Sequence, residues 1–283
     1  MTSSPRAALN RAVLITGCSS GIGRCAAFML RERGYRVFAT ARRSEDVEIL
    51  RDEGFDAHRL DLADSASIRE AVATVLKSAE GRLYALFNNG AYGQPGAVED
   101  LSRDVLREQF ETNVFGTHEL TRTVIPVMRR QGGGRIIHNS SLLGLVSLKF
   151  RGAYNASKYA LEGLADTQRL ELRGSSVFVS LVEPGPILSR FRENSLAMYR
   201  RHIEVDNSFF RERYHALEAR LVKQGPAAPF TLGPEAVVGK VIHALEARRP
   251  KARYYVTFPT YLFAALKRCL PAAWLDAVCD RVN

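Results

Sequence analysis

The sequence lacks any long hydrophobic run. Its longest uncharged apolar stretch, residues 254–266, falls short of the ~20 residues needed to span a bilayer. The first apolar stretch, residues 12–16, is too short for the core of a signal peptide and leads straight into a glycine motif. Cysteine is scarce: Cys18, Cys25, Cys269 and Cys279 form no Cys-x-x-Cys pair. That spacing excludes a disulfide framework and a zinc site, so a reducing cytoplasm and no metal are expected. There is no helix-turn-helix signature and no aromatic-plus-basic module, so the net charge of +10 does not imply nucleic acid. The basic pairs Arg42/Arg43, Arg129/Arg130, Arg200/Arg201 and Arg248/Arg249 are spread along the chain. They make a solvated basic surface that favours anionic partners, whether a cofactor or lipid.

With 46% hydrophobic and 25% charged residues, the composition is that of a folded globular chain. Short β-branched runs alternate with longer helical patterns, which predicts an α/β fold with a parallel sheet. Strands are expected at residues 12–16, 36–40, 57–60, 83–87, 135–139, 177–182 and 254–257. Helices are expected at 23–33, 65–78, 103–130 with a bend at Pro126, 153–173, and 234–248 with Pro234 in its first turn. Residues 1–10 read as a flexible start and 11–283 as one domain. Within it, residues 190–230 are charged, aromatic and weakly periodic, which suits a mobile insertion covering a substrate. The apolar extension 254–283, with Lys267 and Arg268 behind its first stretch, has the character of a helix that packs on the core, closes a pocket or lies on a membrane surface.

The first chemical motif is Thr16-Gly17-Cys18-Ser19-Ser20-Gly21-Ile22-Gly23, between a strand and a helix. Glycines there let the backbone turn tightly and approach a pyrophosphate, and the helix start offers unpaired N–H groups. A tight strand-to-helix turn with no ligand has the same local pattern; the wider context favours the dinucleotide. Downstream, Tyr154 and Lys158 share a helix face at a spacing of i, i+4. A free phenol titrates near ~10, and a neighbouring ammonium favours phenolate, lowering that value toward the working range.

The spacing Gly-x-x-x-Gly-x-Gly, followed in order by Asn88-Asn89-Gly90-Ala91, Asn113, Ser141, Tyr154-Asn155-Ala156-Ser157-Lys158 and Pro184-Gly185-Pro186-Ile187, resembles the compact branch of the short-chain dehydrogenase/reductase superfamily. Ser141 precedes Tyr154 by thirteen residues, which selects it over the adjacent Ser140. The resemblance implies a Rossmann fold: a doubly wound parallel sheet of about seven strands, helices on both faces and a C-terminal substrate lid. It implies that Tyr154 donates and accepts the proton and that Ser141 hydrogen-bonds the reacting oxygen. Lys158 would hold the nicotinamide ribose, and Asn113 would anchor a relaying water, though a helix-bending or capping role suits Asn113 as well. Two departures are visible. The family usually reads Asn-Asn-Ala-Gly, where this chain has Asn88-Asn89-Gly90-Ala91; after Pro184-Gly185 it often places Thr, where this chain has Ser189.

The cofactor contacts implied are Gly17, Ser19, Ser20, Gly21, Ile22, Gly23, Asp61, Leu62, Asn89, Gly90, Tyr154, Lys158, Pro184, Gly185, Ile187 and Ser189, with Asp61 on the adenine amino group. The end of the second strand, Phe38-Ala39-Thr40-Ala41-Arg42-Arg43, holds no acid until Glu45. A ribose 2′-hydroxyl would call for an acid there, whereas Arg42 can fork onto a 2′-phosphate, which makes NADP(H) the expected cofactor. Apolar residues near the site in motif order, such as Leu142, Leu143, Phe150 and Phe191, suggest a lipophilic carbonyl or alcohol substrate. The likeness extends to the subgroup of 17β-hydroxysteroid and retinol dehydrogenases and to bacterial NADP-dependent aldehyde reductases, and it implies a homo-oligomer, dimer or tetramer. Reduction of fatty, retinoid or steroid-like carbonyls follows as an expectation. A sensor that binds NADP(H) without turnover is the alternative, weakened by the retention of all four catalytic residue types.

Overall fold

The computed structural model describes residues 11–223, 225–226 and 228–282; the expected flexible start at 1–10 lies outside the described residues. Strands β1 (Ala12–Ile15), β2 (Arg36–Ala41), β3 (Asp56–Arg59), β4 (Ala85–Asn88), β5 (Gly134–Asn139), β6 (Val177–Glu183) and β7 (Arg253–Tyr255) form one sheet. Its order is β3-β2-β1-β4-β5-β6-β7 and every pairing is parallel. Helices α1 (Gly21–Glu32), α2 (Ser44–Asp52), α3 (Ser65–Ser78), α4 (Arg103–Phe110), α5 (Thr117–Arg130), α6 (Gly152–Glu171), α7 (Phe191–His202), α8 (Arg211–Val222), α9 (Pro234–Glu246), α10 (Phe258–Cys269) and α11 (Ala272–Asp280) complete it.

Strand alternation explains the two layers. Val13 and Ile15 join Ala26, Leu30, Val47, Leu50, Val237, Val241 and Leu245 in a core under α1, α2 and α9. Leu14 points the other way, with Ile68, Val72, Leu120, Val124 and Met128 under α3 and α5. A strand buried on both faces reads as a continuous apolar run. Strand order reverses between β1 and β4, and it is at such a point, outside the carboxyl ends of the strands, that open α/β sheets place their ligands.

Four local differences from expectation have identifiable causes. Strand β4 starts at Ala85, not residue 83, because the Leu83 backbone is claimed by a side chain: its N–H donates to Gln131 Oε1 at 2.9 Å and its carbonyl accepts from Gln131 Nε2 at 2.7 Å. The expected helix 103–130 is interrupted by a π-helical turn, Glu111–Gly116, while α5 continues through Pro126. At the end of that turn Gly116 lies against the Leu62 carbonyl, where a Cβ would come within 1.8 Å of the oxygen, so that position admits only glycine. Helix α2 was not foreseen because only Val47 and Leu50 are buried in it. Residues 191–222 form α7 and α8 around a small core of Ala97, Tyr199, Ile203 and Tyr214. The fully buried Tyr214 hydroxyl accepts from Ala97 N at 2.8 Å and donates to Asp100 Oδ2 at 2.5 Å; tyrosines replace the aliphatic stripe that periodicity would detect. Among the described residues no helix is long and apolar enough to cross a membrane.

Candidate active site

The loop from β1 to α1 is knitted to the end of β4. Thr16 Oγ1 accepts from Asn89 N at 2.9 Å and Gly90 N at 2.8 Å, and Asn89 Nδ2 donates to the carbonyls of Thr16 (2.9 Å) and Gly17 (3.2 Å). Gly17 has φ +71° and a Cβ there would meet Gly90 Cα at 2.9 Å; at Gly23 a Cβ would fall 2.2 Å from Gly17 O. Both positions require glycine. Ser20 caps α1 without a side-chain hydrogen bond, and no acid stands in the first turn. The helix start therefore presents N–H groups and positive dipole to whatever lies above it. Ser19 and Ile22 flank this turn half-buried. These residues fit a dinucleotide pyrophosphate. The exchanged Gly90-Ala91 costs little: a Cβ on Gly90 would be 3.1 Å from Leu62 Cδ1, so the small residue sits in the tighter place.

At the edge of β2, Arg43 forks onto Asp46, Nε–Oδ2 2.8 Å and Nη2–Oδ1 2.9 Å. Arg42 is exposed and in no ion pair among the described residues. Asp61 spends one carboxylate oxygen on Ala63 N at 3.0 Å and remains half-buried beside the buried Leu62. On the opposite wall, Pro184 O accepts from Leu142 N at 2.8 Å, Ile187 bridges to Leu232, and Gly185 lies against Thr257 and Thr260. Ser189 reaches back to the glycine loop, its Cβ 3.0 Å from where a Gly21 Cβ would be.

The start of α6 brings the remaining expected residues together. Ser141 begins a short turn at the end of β5, its Oγ accepting from Leu143 N at 3.0 Å. Lys158 Nζ donates to Asn139 O at 2.7 Å and lies 5.6 Å from the Tyr154 ring centre. Asn139 Nδ2 donates to Asn89 Oδ1 at 3.0 Å, which joins this wall to the glycine loop. Asn113 sits in the π-helical turn, a form that often marks functional sites. Its Oδ1 accepts from Tyr92 N at 3.2 Å, and its Nδ2 donates to Tyr92 O at 2.9 Å and to Ser157 Oγ at 3.1 Å. The Ser157 hydroxyl in turn donates to Tyr154 O at 2.8 Å, so Asn113 is tied to the helix turn that carries Tyr154.

The electrostatics correct one expectation. Burial pushes the Tyr154 phenol up to about 12, with the Ser141 hydroxyl and the Arg151 guanidinium pulling the other way. Burial also pushes Lys158 down to about 8, opposed by Glu162. In this structure desolvation therefore outweighs the Ser141 hydrogen bond and the Arg151 charge.

Sequence reasoning missed what stands behind Lys158. Arg253 on β7 contacts Glu162, one turn along α6 from Lys158, and reaches Glu183 Oε1 at 2.5 Å and Asp166 Oδ2 at 2.6 Å. Glu183 is fully buried and Glu162 nearly so. Burial, reinforced by the Glu162 charge and opposed by Arg253, pushes the Glu183 carboxyl up to about 8. On the same wall burial pushes His138 down to about 4. The signs give a testable pH dependence. Glu183 keeps its proton in the fold above the ordinary carboxyl value of ~4.3, so its stabilisation is lost as pH rises through about 8. His138 stays neutral in the fold, so stability is lost as pH falls below the ordinary value of ~6.5. Between pH 5 and 6.5 the two trends oppose; between 6.5 and 8 only the first remains. The melting temperature should decline from pH 6.5 to 8, and Glu183→Gln should level that decline while exposing a rise from pH 5 to 6.5. An unchanged decline in the variant would contradict the assignment.

Comparison with known proteins agrees with this geometry. The family model described as short chain dehydrogenase matches residues 11–200. The chain is 42% identical over 270 residues to the uncharacterized oxidoreductase YbbO of Escherichia coli, covering 95% of this chain and 94% of that protein. It is 32% identical over 262 residues to human retinol dehydrogenase 8, covering 87% and 81%. A short-chain dehydrogenase/reductase from Burkholderia phymatum, solved in complex with NAD, superposes with a TM-score of 0.75 at 26% identity, covering 92% of each chain. With a glycine loop, a Ser-Tyr-Lys wall and a seven-stranded parallel sheet already in place, these matches make the chain a member of the short-chain dehydrogenase/reductase family of oxidoreductases.

Proposed function

We propose that this oxidoreductase uses NADP(H) to reduce lipophilic aldehydes or ketones. The observation that carries the reading is the convergence of Ser141, Tyr154 and Lys158 on one wall, hydrogen-bonded through Asn139 and Asn89 to a glycine loop shaped for a pyrophosphate. Bound NADPH would supply the hydride. The chain's own groups do the rest. Tyr154 gives its phenolic proton to the carbonyl oxygen as negative charge builds there, and the Ser141 hydroxyl donates a second hydrogen bond to that oxygen. Lys158 holds the ribose side of the cofactor and adds positive charge beside the phenol. Phe191 on α7 packs edge-on against the Tyr154 ring at 5.2 Å, which gives the reacting carbonyl an apolar, water-poor surrounding and makes α7 a cover for substrate. Retinol dehydrogenase 8 and a human 17-beta-hydroxysteroid dehydrogenase are among the relatives, and their names fit a lipophilic substrate.

Arg42 supports the choice of NADP(H): it is exposed, unpaired among the described residues, and stands where Arg43 has already engaged the nearest acid. The Burkholderia neighbour carries NAD, so the preference is a property to be measured on this chain. Purified protein should consume NADPH with medium- and long-chain aldehydes, retinal or keto-steroids, and NADH much less. Arg42→Ala should weaken NADPH binding about 10- to 100-fold, the equivalent of ~1.5–3 kcal/mol for a charged hydrogen bond, with little change for NADH. Equal losses for both would remove the phosphate role, and NADPH that binds but is never consumed would point to a sensor.

A further inference from the structure

Helix α7, the cover over Tyr154, is fastened at both ends to one short segment, residues 92–97 between β4 and α4. At its start, Phe191 fills the space that a side chain on Gly93 would take: a Cβ there would meet the ring at 2.7 Å. Its last residue, His202, lies roughly 16 Å further along the helix at 1.5 Å per residue. There His202 Nδ1 meets Gln94 Oε1 at 2.7 Å. The next residue, Ile203, packs on Gly96, its Cδ1 2.7 Å from where a Cβ would be.

Gln94 and Gln109 carry the histidine contact inward. Both are buried, with 1% and 0% of their surface exposed. Gln94 Nε2 donates to the carbonyls of Pro95 at 2.7 Å and Met198 at 3.5 Å, which turns Oε1 toward His202 and makes the ring Nδ1 the donor. Gln94 N donates to Gln109 Oε1 at 2.7 Å, and Gln109 Nε2 donates to Tyr92 O at 2.9 Å. That carbonyl is the one that accepts from Asn113. On its other side His202 Nε2 faces Glu108 Oε2 at 3.4 Å, and Arg201 Nη1 lies 3.4 Å from Oε1 of the same carboxylate. Every nitrogen and oxygen of the two glutamine side chains is engaged, and a buried polar chain satisfied throughout holds one geometry. His202 stands at the far end of α7 from the Phe191–Tyr154 contact, so what it contributes is position.

Resting on the reductase reading of that site, we propose that His202 is a positioning residue that latches α7 down through Gln94, and so sets how much of the protein stands ready to take a lipophilic carbonyl. A seated α7 holds Phe191 against the Tyr154 ring at 5.2 Å. A molecule whose α7 is loose must seat it on binding substrate, which weakens the apparent affinity by the seated fraction and leaves the chemistry of the bound state alone.

His202→Leu leaves Gln94 Oε1 buried without a donor, and KM for decanal should rise about 10-fold, the size of one unpaired buried acceptor. A loss of ground-state readiness should lower kcat by less than about threefold and leave the NADPH dissociation constant in place. His202→Asn, whose amide nitrogen falls where Nδ1 stood, should recover most of the loss. Gln94→Met should raise KM by a similar factor, and combined with His202→Leu it should cost no more than either alone, because the two form one link. A second measurement needs no turnover: in His202→Leu the amides of α7 should exchange hydrogen about 10-fold faster while those of α1 keep their rates. A KM unmoved by His202→Leu overturns the proposal, as do an asparagine variant no better than leucine, effects that add in the double variant, or NADPH binding that weakens in step. If the unmodified protein reduces no aldehyde, the reductase reading fails, and exchange in α7 alone then decides for or against the latch.

Discussion

Tyr154→Phe should lower turnover by about 10²–10⁴-fold, the range that a positioned proton donor contributes, and leave NADPH binding nearly intact. The substitution removes one oxygen and nothing else. The phenyl ring keeps its edge-on contact with Phe191 at 5.2 Å and its place 5.6 Å from Lys158 Nζ, so neither the wall nor the helix start has cause to move. What is lost is the phenolic proton that stands beside Ser141 and Lys158. The size of the loss follows from the titration: a phenol pushed up to about 12 by burial holds its proton firmly at neutral pH, so it is loaded for reduction and needs the charge developing on the carbonyl to draw the proton off. Water replacing it would titrate higher still and would not be held in line. The check is steady-state turnover with the best aldehyde of the panel, alongside a fluorescence titration of NADPH. Turnover within tenfold of the unmodified protein would show that another group protonates the substrate, and a parallel loss of NADPH binding would turn the tyrosine into a cofactor contact only.

The parts of the fold and site that could be read from the sequence are those in which one short segment carries its own constraint. Gly17, Gly21 and Gly23 stand within seven residues of each other, and the positive φ of two of them is written into the glycine itself. Tyr154 and Lys158 share a turn. The unbroken apolar run Val13/Leu14/Ile15 reads as a strand because both faces of the sheet are buried. What stayed hidden depends on distant partners. Leu83 looks like a strand residue until Gln131, far along the chain, takes its backbone groups. The π-helical turn at Glu111–Gly116, whose last residue packs on the Leu62 carbonyl, is announced by no local pattern, and Pro126, the local signal, marks the wrong place. Arg253 reads as ordinary surface charge, since its partners Glu162 and Glu183 lie 91 and 70 residues away.

Arg253→Met should destabilise the protein by about 3–5 kcal/mol, the cost of leaving the nearly buried Glu162 without its charged partner and the buried, protonated Glu183 without its hydrogen bond. Among the described residues Arg253 is the one cation within hydrogen-bond reach of Glu183, which has no exposed surface, and it also contacts Glu162 and Asp166. Methionine fills much of the same volume, so the loss is electrostatic more than steric. For a chain of this size the melting temperature should fall by on the order of 10 °C. The decisive control is the triple variant Arg253→Met, Glu162→Gln, Glu183→Gln. Replacing a buried ion cluster as a whole is often close to neutral, whereas removing one member is not, so the triple variant should recover most of the drop. If it melts as low as the single variant, the arginine's contribution is packing against β6 and not charge. The same cluster bears on catalysis through position. It fastens α6, which carries Tyr154 and Lys158, to the outermost strand of the sheet, and it keeps Glu162 on Arg253, one turn away from the lysine that must stay charged.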